Sequence, residues 1–173
     1  MGRVASLQRA TTARQAPRPR VTKPMEAIRL SKISHVPTRI FPFLTVRGAA
    51  AAIDYYKQAF NAEERSRIKT PSGQIVAELS IEDARFNVVD ENPEDLVALE
   101  QASGQDFNLS PHALGGTTVR IDLVVEDPDA VARRAIAAGG RELFPVADQP
   151  YGWRQGRVID PFGHHWLIGK PLS

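Results

Sequence analysis

At 173 residues the chain is long enough for one ordinary domain or two small units sharing a core, and its 42% hydrophobic and 24% charged residues, with no long apolar run, describe a globular chain. The formal charge is only +2, and the basic excess lies before residue 40, where Glu26 is the only acid. Beyond that point no basic face interleaved with aromatics can be traced and no segment is apolar enough to span a bilayer, so neither nucleic acid nor membrane is an expected partner. Without cysteine the chain has no disulfide, thiolate metal site or cysteine nucleophile.

Residues 1–38 read as a flexible basic tail, with Arg3, Arg9, Arg14, Arg18 and Arg20 scattered among Ala, Thr, Ser, Gln and Pro and no apolar period. The run Met25-Glu26-Ala27-Ile28 has the form of a second start, which would make residues 1–24 an extension of a cytoplasmic protein. Arg-rich, acid-poor composition is also that of an organelle-targeting segment, and that alternative stays open.

From residue 39 onward the chain repeats itself. One constant shift in numbering carries Phe60 onto Ala138, Ile81-Glu82 onto Ile159-Asp160 and Val46 onto Val124. In the first module, 39–90, Ile40 to Val46 is a short apolar strand. Ala49 to Phe60 has Ala52, Ile53, Tyr56 and Phe60 at helical spacing, and Asn61 suits the left-handed residue that closes a helix. Glu64 to Lys69, Ile75 to Ile81 and Arg85 to Val89 follow as three strands in hairpin order, the first two joined by the turn Pro71-Ser72-Gly73. In the second module, 117–171, Thr117 to Val125 alternates polar and apolar residues as a half-buried strand does. Asp127 caps a helix over Pro128 to Ala138, which Gly139-Gly140 ends, and strands at Glu142 to Val146, Arg154 to Ile159 and His164 to Ile168 complete the unit. Residues 91–116 are polar and read as the linker. Each module is therefore a β-α-β-β-β unit.

Several stretches carry a resemblance: Tyr55-Tyr56-Lys57-Gln58-Ala59-Phe60, Val89-Asp90-Glu91-Asn92-Pro93-Glu94, Val125-Glu126-Asp127-Pro128-Asp129-Ala130-Val131, Pro145-Val146-Ala147-Asp148-Gln149 through Tyr151-Gly152-Trp153-Arg154 to Gly156-Arg157-Val158, and Asp160-Pro161-Phe162-Gly163-His164-His165-Trp166. On these residues 39–171 resemble the vicinal oxygen chelate superfamily of glyoxalases, bleomycin-resistance proteins and extradiol dioxygenases, within it the PhnB-like branch. The resemblance implies an α+β fold of two βαβββ modules forming a half-open mixed β-barrel with flanking helices around a ligand cavity. It also implies a homodimer.

Enzymes of that superfamily hold a divalent metal with His and Glu on the first and last strands of each module. The matching positions here are Phe41, Val89, Val119 and Leu167, all apolar. A shift of one residue in the second module offers Arg120, a cation, and Val76 stands where relatives of the branch carry a histidine. Such positions lack the N and O donors that a hard or borderline cation needs, so no metal is expected; a divalent metal on displaced ligands such as His165, Glu78 or Glu91 is the alternative. The pair His164-His165 is a poor chelate because successive strand residues point to opposite faces, which puts His165 with Leu167 and turns His164 and Trp166 the other way. His35 and His112 lie in tail and linker.

A cavity floor of Phe41, Phe43, Val119, Ile121 and Leu167 would give the apolar lining that small-molecule sites favour; the same side chains would serve as plain core if the barrel is filled. Glu78, Asn87, Arg154 and His165 are the polar candidates, and Trp153, in a glycine-containing loop, offers a surface for stacking on a planar or cationic ligand. Arg154 and Arg157 either clamp an anionic group or pair with acids such as Asp148 and Asp160. No Gly-x-Ser-x-Gly or phosphate loop is present, and Glu78 is the one acid/base candidate. The expected function is metal-free sequestration of a small organic molecule, in the manner of bleomycin-resistance proteins. The alternative is an enzyme, either a lyase, isomerase or dioxygenase with displaced metal ligands or a metal-free acid/base catalyst, and a third reading is a structural module with a filled barrel.

Overall fold

The computed structural model describes residues 38–95, 97 and 107–172. Expectations that concern residues 1–37, including the start-site extension and the targeting segment, lie outside them. Among the described residues no helix is long and apolar enough to cross a membrane.

The chain runs β1 (Phe43–Val46), α1 (Ala49–Phe60), β2 (Glu63–Lys69), β3 (Ile75–Ile81), β4 (Ala84–Asp90), α2 (Pro111–Leu114), β5 (Arg120–Val124), α3 (Pro128–Ala137), β6 (Arg141–Gln149), β7 (Trp153–Ile159) and β8 (His165–Pro171). The strands form two four-stranded sheets of the same order, β1-β4-β3-β2 and β5-β8-β7-β6. Within each, the first strand pairs parallel with the last and the others are antiparallel. A parallel pair needs a crossover, and the helix of each module supplies it. The two βαβββ repeats of the sequence are thus two mixed sheets, each with its helix.

Several boundaries moved. Residues 40–42 stand outside β1, although the Pro42 carbonyl accepts the Asn87 amide and so continues the approach to β4. Trp153 is the first residue of β7 rather than a loop residue, paired with Gln149 and Pro171. The segment expected to be only a linker contains α2, capped by the Ser110 hydroxyl, which accepts the Ala113 amide at 3.3 Å. Glu91 holds this segment to the first module: one carboxylate oxygen accepts the Ser110 amide at 2.8 Å and the other takes Arg47 Nε at 2.6 Å.

The caps follow from residue chemistry. Asn61 adopts φ 55°, in the left-handed region where asparagine is tolerated, and α1 ends there. The Asp127 side chain accepts the Ala130 amide at 2.9 Å, with Pro128 in the first turn of α3. Gly48, with φ 87°, opens α1, and the Asp90 carboxylate accepts the free amide of Ala49.

One core joins both modules. Leu44, Val46, Ala77, Leu79, Phe86 and Val88 face α1 from the first sheet, while Leu123, Val158, Trp166 and Ile168 face inward from the second, all buried. Trp166 stands 4.5 Å from Phe60 and 5.8 Å from Phe86 between ring centroids, so aromatic packing bridges the repeat. At its centre is Asp160, 3% exposed. Oδ2 accepts the Tyr56 hydroxyl at 2.8 Å and Trp166 Nε1 at 2.9 Å, and Oδ1 accepts the Phe162 and His164 amides, both at 2.9 Å. A buried carboxylate needs such a set of donors, and this one ties α1 of the first module to the β7–β8 turn of the second.

Candidate functional site

Because strand side chains alternate, each sheet has a core face and an open face. In the first sheet, Phe43, Asn87, Glu78 and Ser66 are register partners and form one row across β1, β4, β3 and β2 on the open face. Thr45, Val89, Val76 and Ile68 form the next row. Phe43, on the edge strand β1, is 60% exposed although it is a large apolar residue. Glu78 accepts a charged hydrogen bond from Arg85 at 3.1 Å on the same face.

The open face of the second sheet has the row Arg120, His165, Ile159 and Arg141, followed by Asp122, Leu167, Arg157 and Phe144. The Arg157 guanidinium lies 5.2 Å from the centre of the Phe144 ring, itself 55% exposed. Burial pulls the pKa of His165 below the free-imidazole value, and the positive charges of Arg157, Arg141 and Arg120 pull it the same way, with Asp160 opposing. His164 stands just before β8, and its Nε2 makes a 3.0 Å hydrogen bond with the Thr45 carbonyl across the two modules. Burial also lowers its pKa, against the nearby Asp160 carboxylate.

Where the two modules meet, a cleft of 320 Å³ opens at the starts of β1 and β5, lined among others by Phe43, Thr45, Val119, Ile121 and His164.

These placements divide the residues expected to share one cavity. Phe43, Asn87 and Glu78 do come together on the first open face, and His165, Leu167 and Trp153 on the second. Phe43, Val119 and Ile121 share the cleft, but Ile121 points to the core side, as the register partner of buried Trp166, and so cannot share a floor with Leu167. Val119, 64% exposed, and Phe41, 40% exposed, precede their strands. Arg154 is also on the core side: Nε and Nη2 donate to Asp129 of α3, each at 2.7 Å, and Nη1 to Asp148 at 2.8 Å. It is a clamp between sheet and helix rather than a ligand group, and Asp129 is the partner that sequence reasoning missed. Arg157 has neither Asp148 nor Asp160 as a partner, and its Nε is buried without an acceptor among the described residues.

The chelate that the resemblance implies would need several N and O donors converging on one point. Among the described residues no group of three or more His, Asp or Glu side chains could hold a metal ion. Phe41, Val89, Val119 and Leu167 contribute only carbon, Arg120 brings a positive charge, and Glu78, the acid within the first open row, is engaged by Arg85. The described residues at these positions do not offer a donor set that fits a divalent metal.

The family profile described as the glyoxalase/bleomycin resistance protein/dioxygenase superfamily matches residues 32–168. The chain belongs to this superfamily. A protein of Mycobacterium bovis described as uncharacterized is 39% identical over 139 residues, which cover 80% of this chain and 86% of that one. Among solved structures, a glyoxalase/bleomycin resistance protein/dioxygenase family enzyme from Burkholderia phytofirmans is 21% identical with a TM-score of 0.58, covering 76% of this chain and 97% of its own. A PhnB protein from Bacillus cereus is 20% identical with a TM-score of 0.53, covering 79% of this chain and 100% of its own. The superfamily read from the sequence is thereby established for this chain, and a PhnB protein is among the solved structures that share its fold.

Proposed function

We propose that this superfamily member is a metal-free binding protein that sequesters a small organic molecule on its open sheet faces, and that it works as a homodimer in which a second chain covers those faces. The observation that carries the reading is the one-sided packing of both sheets. Each is buried on its core face and bare on the other, where Phe43 and Phe144 stand 60% and 55% exposed beside hydrogen-bonding groups. Bare apolar surface rimmed by polar side chains is the mark of a ligand or partner surface. The acid/base reading of Glu78 is less well supported, because Arg85 already occupies its carboxylate at 3.1 Å.

Light scattering of the full chain is expected to give twice the monomer mass, and a thermal-shift screen, antibiotics and planar aromatics first, is expected to find a ligand. A ligand at a hundred times its Kd adds about 2.7 kcal/mol to the folded state, several degrees in Tm. Metal analysis of protein purified without chelator or histidine tag is expected to find no stoichiometric divalent ion. A monomer that no compound stabilises, or one ion per chain lost on changing His165 or Glu78, would overturn the proposal.

A further inference from the structure

We infer that the open face of the second sheet contains an anion subsite formed by Arg120, Arg141 and Arg157 around His165, and that the molecule held there bears a carboxylate, phosphonate or phosphate group. The inference rests on the reading above that this face holds a small molecule, and it adds the chemistry of that molecule.

The geometry comes from register. Arg120, His165, Ile159 and Arg141 are Cα partners across β5, β8, β7 and β6, so their side chains leave the sheet on one face. Arg157 is in the adjacent row, next to Leu167 and Phe144. At about 4.8 Å between strands the whole row spans about 14 Å, within which long guanidinium side chains can converge over the central imidazole. Arg120 is thus the register neighbour of His165 on β5, Arg157 its diagonal neighbour on β7, and Arg141 lies two strands away in the same row.

The arginines of this face lack the carboxylate partners that Arg47, Arg65, Arg67, Arg85 and Arg154 have. On the core face of the same sheet Arg154 holds two carboxylates, and on the open face of the first sheet Arg85 holds Glu78. Among the described residues Arg120, Arg141 and Arg157 have no salt-bridge partner, and Nε of Arg157 is buried without an acceptor. Asp122 is the carboxylate of that face; it accepts from Gln155 at 3.3 Å, on the far side of Leu167 from Arg157. Asp160 also acts on His165, but its two oxygens are committed to four donors in the core. Three like charges without counter-charges repel one another, and planar guanidiniums match the paired oxygens of a carboxylate, phosphonate or phosphate. Phe144 beneath Arg157 and the neighbouring Leu167 add apolar surface for an organic body attached to that group.

The test uses the full chain with three probes: phenylphosphonate, inorganic phosphate and neutral benzyl alcohol. Calorimetry gives affinity, and the imidazole resonances of His165 report the site. The expected result is that phenylphosphonate binds more tightly than benzyl alcohol, raises the His165 pKa, and loses about tenfold in affinity in both Arg157→Gln and Arg120→Gln. Inorganic phosphate is expected to raise the same pKa at higher concentration. Arg120 is exposed, so its variant keeps the test informative if Arg157→Gln folds poorly. Equal binding of benzyl alcohol and phenylphosphonate at this face, unaffected by either variant, would overturn the anion subsite and leave the small-molecule reading standing. Failure of all three probes to perturb His165, while ligands from the thermal-shift screen bind elsewhere, would overturn it too. So would dissociation of the dimer in the variants without any anion effect, which would assign the arginines to acids of a second chain.

Discussion

Replacing Asp160 by Asn tests whether one buried carboxylate joins the two modules. The substitution keeps shape and removes one acceptor oxygen. Oδ1 can continue to take the Phe162 and His164 amides, but an NH2 group then faces the Tyr56 hydroxyl and Trp166 Nε1, at the positions where these donate at 2.8 and 2.9 Å. The tyrosine can rotate its hydroxyl hydrogen and accept instead. The indole can only donate, so one buried donor is orphaned at about 1–3 kcal/mol, and the remaining bonds lose their charge assistance. Together the cost is about 2–4 kcal/mol, or roughly 8–16 °C in Tm for a unit of this size. Tyr56→Phe removes a single bond and is expected to cost about 1 kcal/mol. Urea unfolding of both single variants and the double variant measures the coupling, expected to be well below additive because they share the bond. If Asp160→Asn lies within about 0.5 kcal/mol of the parent, the carboxylate is not what holds the core junction, and the reasoning fails.

Gly156→Ala would place a Cβ 2.7 Å from the Val146 amide nitrogen and 2.9 Å from the Phe144 carbonyl oxygen, both backbone atoms. The β6–β7 pairing must shift, so a loss of about 1–3 kcal/mol is expected by thermal melting, whereas a neutral result would mean β6 is pliable there. Glu64 is held at a pKa of about 2 by hydrogen bonds from Arg67 and Lys57. Its folded-state pKa lies below the ordinary glutamate value of 4.5, so its contribution is complete above that pH and fades as pH falls toward 2. Because the group is partly solvated, Glu64→Gln should remove about 1 kcal/mol or less at pH 7 and flatten the acid limb of stability between those values; an unchanged limb would refute the pairing. His164 has the opposite charge type: its pKa is depressed chiefly by burial, so below 6.5 the unfolded chain takes up the proton first. Stability should therefore fall as pH drops through 6.5, and His164→Gln, which can still donate to the Thr45 carbonyl, should lessen that slope in urea titrations.

The sequence by itself determined the repeat, the order of its elements and the superfamily, because helix spacing, caps such as Asn61 and Asp127, and turn residues are local and act over a few positions. It also put His165 on the face of Leu167, because strand alternation is a rule of parity, whereas the register that aligns Phe43 with Asn87 and Glu78 came from the tertiary structure. Asp160 carried a signal, since an aspartate opening Asp-Pro-Phe-Gly is suited to accepting the amides of the following turn. Nothing local revealed that its other oxygen would take Tyr56 and Trp166. The division of the expected cavity was decided by tertiary structure. Which face of a strand meets the core depends on register with its neighbours and on where the helices pack, so Ile121 and Arg154 fell on the core side while Leu167 and Arg157 stayed outside. The same holds for charge: an arginine in a sequence looks alike whether a distant aspartate will reach it or not, and only the tertiary structure paired Arg154 with Asp129 of α3 and left Arg120, Arg141 and Arg157 without a salt bridge among the described residues.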